Sequence, residues 1–256
     1  MIDLPPDRQY TWFPTKKLAH KDGTLSDVLS YSQHGEDITV IQHFMPNIKN
    51  VKDGTYFEVG AYDGVLYSNT KLFESYFNFS GILVEPSSQF NQLKINRKGS
   101  NNTLYNCAIH DSKSEIEFLG NSPLACSIEA MSEEHYNTYS PGGIAPVTQL
   151  PNISEKYIVP AKRVSNIITD ANVTYIDYFS IDVEGSEINL LNSIDWDIPI
   201  YVISIETIFQ TNEVIADILT KNKFKRVKEV ETAEHQQFWV NDTYFRKDIL
   251  TGNYEK

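Results

Sequence analysis

The chain has 256 residues, 41% hydrophobic and 22% charged, with a formal net charge of −12 at pH 7. This is enough for one substantial α/β domain or two small ones, at a composition ordinary for a soluble globular protein. The acidic balance excludes a nucleic-acid backbone as a natural partner, since that contact needs a basic footprint, and suits a neutral acceptor or a cationic cofactor.

Residues 1–30 carry Pro5, Pro6 and Pro14 with no sustained period, and read as an N-terminal extension without a core of its own. A helix is expected over 32–44. Ser32 is its N-cap, Glu36 and Asp37 sit near the positive end of its dipole, and Ile38, Ile41 and Met45 share a face before Pro46. An apolar strand over 55–59 runs into Glu58-Val59-Gly60-Ala61-Tyr62-Asp63-Gly64, and Ser68-Asn69-Thr70 opens a helix over 71–77. A second strand, 81–84, ends in Glu85-Pro86 and precedes a helix near 88–97. The third strand is read as 103–109, and 115–119 alternates like a half-buried edge strand.

Between 120 and 154 the periodic apolar residues thin out while Pro123, Pro141, Pro146 and Pro151 accumulate. So long a connection reads as a lid or binding loop. A short extended run, 156–160, and a helix near 164–169 lead to strand four, 178–182, which ends in Asp182-Val183-Glu184-Gly185. A helix starts near 185–187, and strand five, 201–205, ends at Glu206. In 211–222 the residues Val214, Ile215, Ile218 and Leu219 form a helical stripe. The segments 224–230 and 236–240 read as the last two strands. This alternation implies a parallel sheet with helices on both faces and no second domain boundary after residue 31.

Three apolar strands therefore end in acids at one sheet edge, where ligands of open α/β sheets bind. Gly60 and Gly64 allow close backbone approach. Alternation puts Asp182 and Glu184 on one side of the chain. The only cysteines, Cys107 and Cys126, lack metal-ligand spacing. The N-terminus has no basic stretch followed by an apolar core, and no apolar run reaches the ~20 residues of a membrane span. A cytoplasmic protein without a membrane span is expected.

Ser32-Gln33-His34-Gly35-Glu36-Asp37, the glycine turn, Ser68-Asn69-Thr70, Glu85-Pro86, Ser180-Ile181-Asp182-Val183-Glu184-Gly185 and Ile205-Glu206 occur in the order seen in FkbM-type S-adenosylmethionine-dependent methyltransferases. The chain resembles that family from about residue 31 to 240. The resemblance implies a Rossmann-like class I methyltransferase fold, with strand order 3-2-1-4-5-7-6 and an antiparallel seventh strand. It implies S-adenosylmethionine as cofactor and a hydroxyl acceptor, on a sugar or another small hydroxylated molecule.

On that expectation Gly60, Ala61, Tyr62 and Asp63 form the cofactor turn. Glu58 accepts from the ligand's ammonium group, while Ser68 and Asn69 with the next helix N-terminus receive its carboxylate. Glu85, followed by Pro86, takes the ribose hydroxyls. Asn106, Cys107 and Ala108 flank the adenine. Gln33, Glu36 and Asp37 close over the pocket, and Glu184 contacts the acceptor. Asp182, beside the cofactor, and Glu206 are the candidate bases, because a hydroxyl needs help losing its proton. A magnesium or calcium ion held by Asp182 and Glu206 is the other reading of that pair.

Two further functions remain open at this point. A nicotinamide-dependent oxidoreductase fits Glu85 but lacks Gly-X-Gly-X-X-Gly, since Tyr62 and Val65 hold the second and third glycine positions. A non-catalytic cofactor- or glycan-binding module would keep the motifs without turnover.

Overall fold

A computed structural model of the chain describes residues 13–19, 24–45, 48, 53–120, 125–131, 156–207, 211–231, 233, 235–241 and 243–244. Most of the 120–154 segment read as a lid lies outside the described residues; of it, 125–131 includes a short strand.

The first elements are strands β1 (Thr15–Ala19) and β2 (Leu25–Leu29), paired antiparallel. They were not expected, because charged residues mask the alternation. Leu18 and Val28 nevertheless join the buried cluster of Ile41, Phe44, Leu72 and Phe73. The Leu29 N–H donates to Tyr76 Oη at 3.1 Å, tying the hairpin to the domain.

Helix α1 spans Glu36–Phe44 and starts four residues later than expected. Its N-cap is Gly35, at φ 85°, not Ser32. The cause is Asp37, fully buried, whose carboxylate accepts from Ser30 Oγ (2.7 Å), Ser32 Oγ (2.7 Å) and the Tyr31 N–H (2.8 Å). Those bonds hold 30–32 in an irregular loop ahead of the helix.

The alternating core follows as β3 (Thr55–Val59), α2 (Lys71–Phe77), β4 (Ser80–Val84), α3 (Phe90–Asn96) and β5 (Thr103–Tyr105). The expected third strand is two pieces. After Tyr105 the chain leaves the sheet, Asn106 Nδ2 donates to the Glu85 carbonyl at 2.9 Å, and β6 (Ala108–Ile109) pairs elsewhere. Strand β7 (Glu115–Leu119), β8 (Cys126–Ser127) and β9 (Lys156–Lys162) join β6 in a four-stranded sheet of order β6-β9-β7-β8. Segment 115–119 thus has a neighbour on each side and is not an edge.

Helix α4 (Val164–Asp170), β10 (Ile176–Ile181), α5 (Glu187–Asn192), β11 (Ile200–Glu206) and α6 (Asn212–Lys221) complete the alternation. In α6 the stripe is Ile215, Leu219 and the partly buried Ile218, while Val214 is 46% exposed. The expected strand 224–230 shortens to β12 (Lys225–Arg226) before a 3₁₀ turn, and β13 (Gln236–Val240) ends the sheet.

The seven-stranded sheet has the order β12-β13-β11-β10-β3-β4-β5. Strand β13 runs antiparallel to both neighbours, and the other pairs are parallel. Counting only these strands, this is the order that the resemblance implied, in a mixed sheet. Alternation puts Tyr56, Leu83, Tyr178 and Val202 on the face covered by α1 and α2. Phe57, Ile82, Phe179 and Ile203 pack with α4, α5 and α6 on the other. Each such side chain contributes roughly 1.5–3 kcal/mol of burial. Phe57 and Phe179 stack at 4.6 Å across β3 and β10, fixing the two strands whose ends carry the candidate site.

Candidate active site at the carboxyl ends of the strands

The turn after β3 is built to touch β10. Gly60 has φ 86°, and a Cβ there would lie 2.0 Å from the Asp182 carbonyl oxygen. Only glycine fits both constraints. The Gly60 and Ala61 N–H groups both donate to the Val84 carbonyl at 3.1 Å. Tyr62, at φ 47°, donates its N–H to Glu85 Oε2 at 2.8 Å, and Ser87 N–H reaches Glu85 Oε1 at 2.7 Å. Burial raises the Glu85 pKa against those bonds. Asp63 closes the turn by accepting from the N–H groups of Val65 and Leu66.

Behind the turn lies an ionic network. Arg97, its side chain fully buried, donates to Glu74 at 2.6 Å, Tyr56 Oη at 3.1 Å, Ser68 Oγ at 2.7 Å and the Gly64 carbonyl at 2.6 Å. Glu58 lies 3.7 Å from the guanidinium. It accepts from the Asn69 N–H (2.7 Å), Thr70 Oγ1 (2.6 Å) and Ser68 Oγ (3.0 Å). Burial raises the Glu58 pKa even though Arg97 pulls it down. At Glu74 burial acts the same way, but Arg97 and Lys71 outweigh it and the pKa is lowered. Glu58, Ser68 and Asn69 are thus engaged with one another and line no part of the open cleft. The N–H groups of Lys71 and Thr70 are also occupied, by Ser68 Oγ. The ammonium and carboxylate roles expected of Glu58, Ser68 and Asn69 do not match this placement.

The open cleft encloses about 570 Å³, solvent at its mouth included. Gly60, Tyr62, Glu85 and Pro86 form one wall, and Cys107, Ala108 and Ile109 a second. Asp182, Val183, Glu184 and Ser186 close the far side. Of the residues expected to bind cofactor, Ala61, Asp63 and Asn106 stand outside this wall, supporting its turns. The remaining wall, Ile116, Phe118 and Ala125, comes from the second sheet. Sequence reading missed it: the alternation of 115–119 showed which side chains point inward, not what they enclose. Burial raises the pKa of Cys107 to about 11 and that of Tyr62 to about 12, so both offer neutral surface.

Beyond Asp182 lies a group of acids. Burial, then Glu206, Glu184, Glu187 and Glu36 in that order, raises the Asp182 pKa well above its ordinary value. Burial and the charges of Glu206 and Glu187 push Glu184 up to about 8. Burial pushes Glu187, on α5, up to about 7, with Glu206 adding to it. Glu184 sits at φ 50°, followed by Gly185 at φ 100°. The Gly185 N–H is pinned by Glu187 Oε1 at 2.8 Å. Glu206 ends β11 beside this group but is not in the cleft wall. Among the described residues no set of three or more His, Cys, Asp or Glu side chains is placed to hold a metal ion.

The N-terminal motif divides. Gln33 is exposed and Asp37 is wholly used as the loop latch. Glu36 is buried and accepts from the His34 N–H at 2.9 Å. Burial raises its pKa, and its charge reaches Asp182.

A cleft at this edge of this strand order, with acids at the ends of β4 and β10, is the architecture of a methyltransferase domain. The model of the family described as the methyltransferase FkbM domain matches residues 58–230, more than half of the chain, and the chain belongs to that family. No curated protein matches the sequence. Among solved structures, precorrin-6y C5,15-methyltransferase from Geobacter metallireducens GS-15 is similar over 89% of this chain and 93% of its own. Its TM-score is 0.41 and its identity 10%, too distant to carry an argument. No helix among the described residues is long and apolar enough to cross a membrane.

Proposed function

We propose that this protein moves the methyl group of S-adenosylmethionine to a hydroxyl of a sugar or a similar hydroxylated acceptor, on a Rossmann-like class I methyltransferase fold. The observation that carries this reading is the single cleft shared by the glycine turn, Glu85 and Asp182. Its wall joins an acid, a neutral apolar slot and a second acid in sequence, the mix of apolar lining and few placed polar groups that small-molecule sites show. Bound there, the cofactor supplies a methyl group already activated on a sulfonium.

The chain's residues do the rest. Glu85 keeps acceptor capacity beyond its two backbone N–H donors, since a carboxylate offers about four lone-pair sites, and uses it for the ribose hydroxyls. Cys107, Ala108, Ile116 and Phe118 enclose the base and exclude water. Asp182 takes the proton of the acceptor hydroxyl as its oxygen gains the methyl. A carboxyl with a raised pKa is a stronger base than a free one. Glu206, ending the next strand, adds its charge beside that carboxyl as the second candidate base. Most of the rate gain then comes from alignment and desolvation.

Calorimetric titration with S-adenosylhomocysteine tests the donor half, and transfer of labelled methyl to a panel of sugars tests the acceptor half. A folded protein that binds no S-adenosylhomocysteine removes the first. Binding without transfer to any hydroxyl compound removes the second.

A further inference from the structure

Among the described residues, the acids beyond Asp182 have no counter-ion of the kind Arg97 gives Glu58 and Glu74. After burial, the strongest influences on Asp182 and Glu184 are other carboxylates. Glu187 adds an independent sign. It is 1% exposed, one oxygen accepts from Gly185, and Oε2 has no hydrogen-bond partner. An orphaned buried acceptor is unfavourable until something donates to it.

The missing component is therefore positively charged and rich in N–H donors. A sulfonium has the charge but no donor, and it is one charge among four carboxylates. A bare divalent ion finds no set of three ligands among the described residues. A guanidinium is a planar fork that prefers one bidentate carboxylate, whereas an ammonium is a compact charge with three donors in different directions. Carboxylates approaching from β11, α5 and the β10–α5 loop suit the second.

We infer that the acceptor carries an ammonium group, received by Glu184 of the cleft wall with Glu187 and Glu206 behind it, beside the hydroxyl that takes the methyl. This rests on the methyl-transfer reading above and narrows its acceptor to amino sugars or amino alcohols. The groups facing the ammonium are Glu184 and Gly185 of the loop, Glu187 of α5, Glu206 of β11 and Asp182 of β10. Cys126 of β8 also lies within the electrostatic reach of Glu184.

The test uses matched probes on full-length protein saturated with S-adenosylhomocysteine. Glucosamine is compared with glucose, and 2-amino-1,3-propanediol with glycerol, by calorimetry or NMR titration at pH 7. The amine of each pair should bind at least about tenfold tighter, the scale of one charge-assisted hydrogen bond. Added salt should narrow the gap. Glu187→Gln, which keeps an oxygen for the Gly185 N–H, should reduce the preference to within about threefold and leave S-adenosylhomocysteine affinity unchanged. Equal binding within both pairs, or no binding by any probe, overturns the inference. So does stoichiometric magnesium or calcium binding that Glu187→Gln abolishes. Failure of S-adenosylhomocysteine itself to bind is a separate result and overturns the methyl-transfer reading.

Discussion

Two acid groups flank the same glycine turn, and the protein treats them in opposite ways. Glu58 and Glu74 sit with Arg97 in a network that supplies both carboxylates with donors from inside the chain. Among the described residues Asp182, Glu184, Glu187 and Glu206 are gathered with no such partner, and burial followed by repulsion between them raises the pKa values of the first three. The first arrangement stabilises a fold. The second holds unfavourable energy that a ligand can relieve, which is the signature of a site. Burial alone does not separate them, since Glu58 and Glu187 are 2% and 1% exposed. The counter-ion does.

The largest effect should come from removing that counter-ion. Arg97→Met leaves buried Glu58 without a cation and Glu74 with Lys71 alone, and breaking a buried pair in this way costs about 3–5 kcal/mol. Denaturant unfolding should show it, and a loss near zero would mean that the network does not hold the turn.

Asp182→Asn should do the reverse. It removes a charge that its neighbours oppose, so the melting temperature at pH 8 should rise. Methyl transfer should fall by about 10²-fold, the usual scale for a lost base. Donor affinity should change by less than about tenfold. An equally active variant would take the base assignment away from Asp182.

Glu85→Ala falls between the two classes, because Glu85 both braces the turn and faces the cleft. Binding of S-adenosylhomocysteine should weaken by roughly tenfold or more. Thermal stability should also drop, since the Tyr62 and Ser87 N–H groups lose their acceptor. Lost stability with intact affinity would leave Glu85 a purely structural residue.

The smallest effect is in pH dependence, where Glu74 should differ in sign from Glu184 and Glu187. Glu184 and Glu187 hold protons more tightly folded than unfolded, so stability is full below about pH 4.5 as far as they are concerned. It is lost as pH rises through about 7 and 8. Glu74, with its lowered pKa, contributes stability above its unfolded value and loses it in acid. Melting temperature in the unliganded protein should therefore decline from pH 6 to pH 9, and Glu184→Gln should flatten that decline. A wild-type profile flat over this range would contradict the like-charge cluster.

Much of the frame was legible in the chain. Strands 55–59, 115–119 and 236–240 and helix 71–77 have the expected bounds, because each is a short apolar run set off by turn or polar residues. The acids at the ends of β4 and β10 were legible for the same reason. What stayed hidden depends on contacts distant in sequence. Arg97 looks like an ordinary helix-end cation, and nothing local shows that it reaches Glu58 and Glu74. The break after Tyr105 arises because β6 pairs with Ala161–Lys162, more than 50 residues on. The hairpin before Ser30 has too few apolar residues to announce itself. The expected strand over 224–230 failed because only two of its residues find the ladder.

The second sheet has a bearing on how such a protein diversifies. Ile116 and Phe118 reach the cleft from a sheet with its own small core of Ala108, Val159 and Ala161, apart from the two layers that sandwich the main sheet. The turn at Gly60 tolerates almost no change, since any side chain would strike Asp182. Residues on β7 and β8 face no such constraint. Shape selection in this lineage can therefore drift on one wall of the cavity while the edge that carries the glycine turn stays frozen, and swapping residues 115–127 between relatives is the economical way to exchange their substrate ranges.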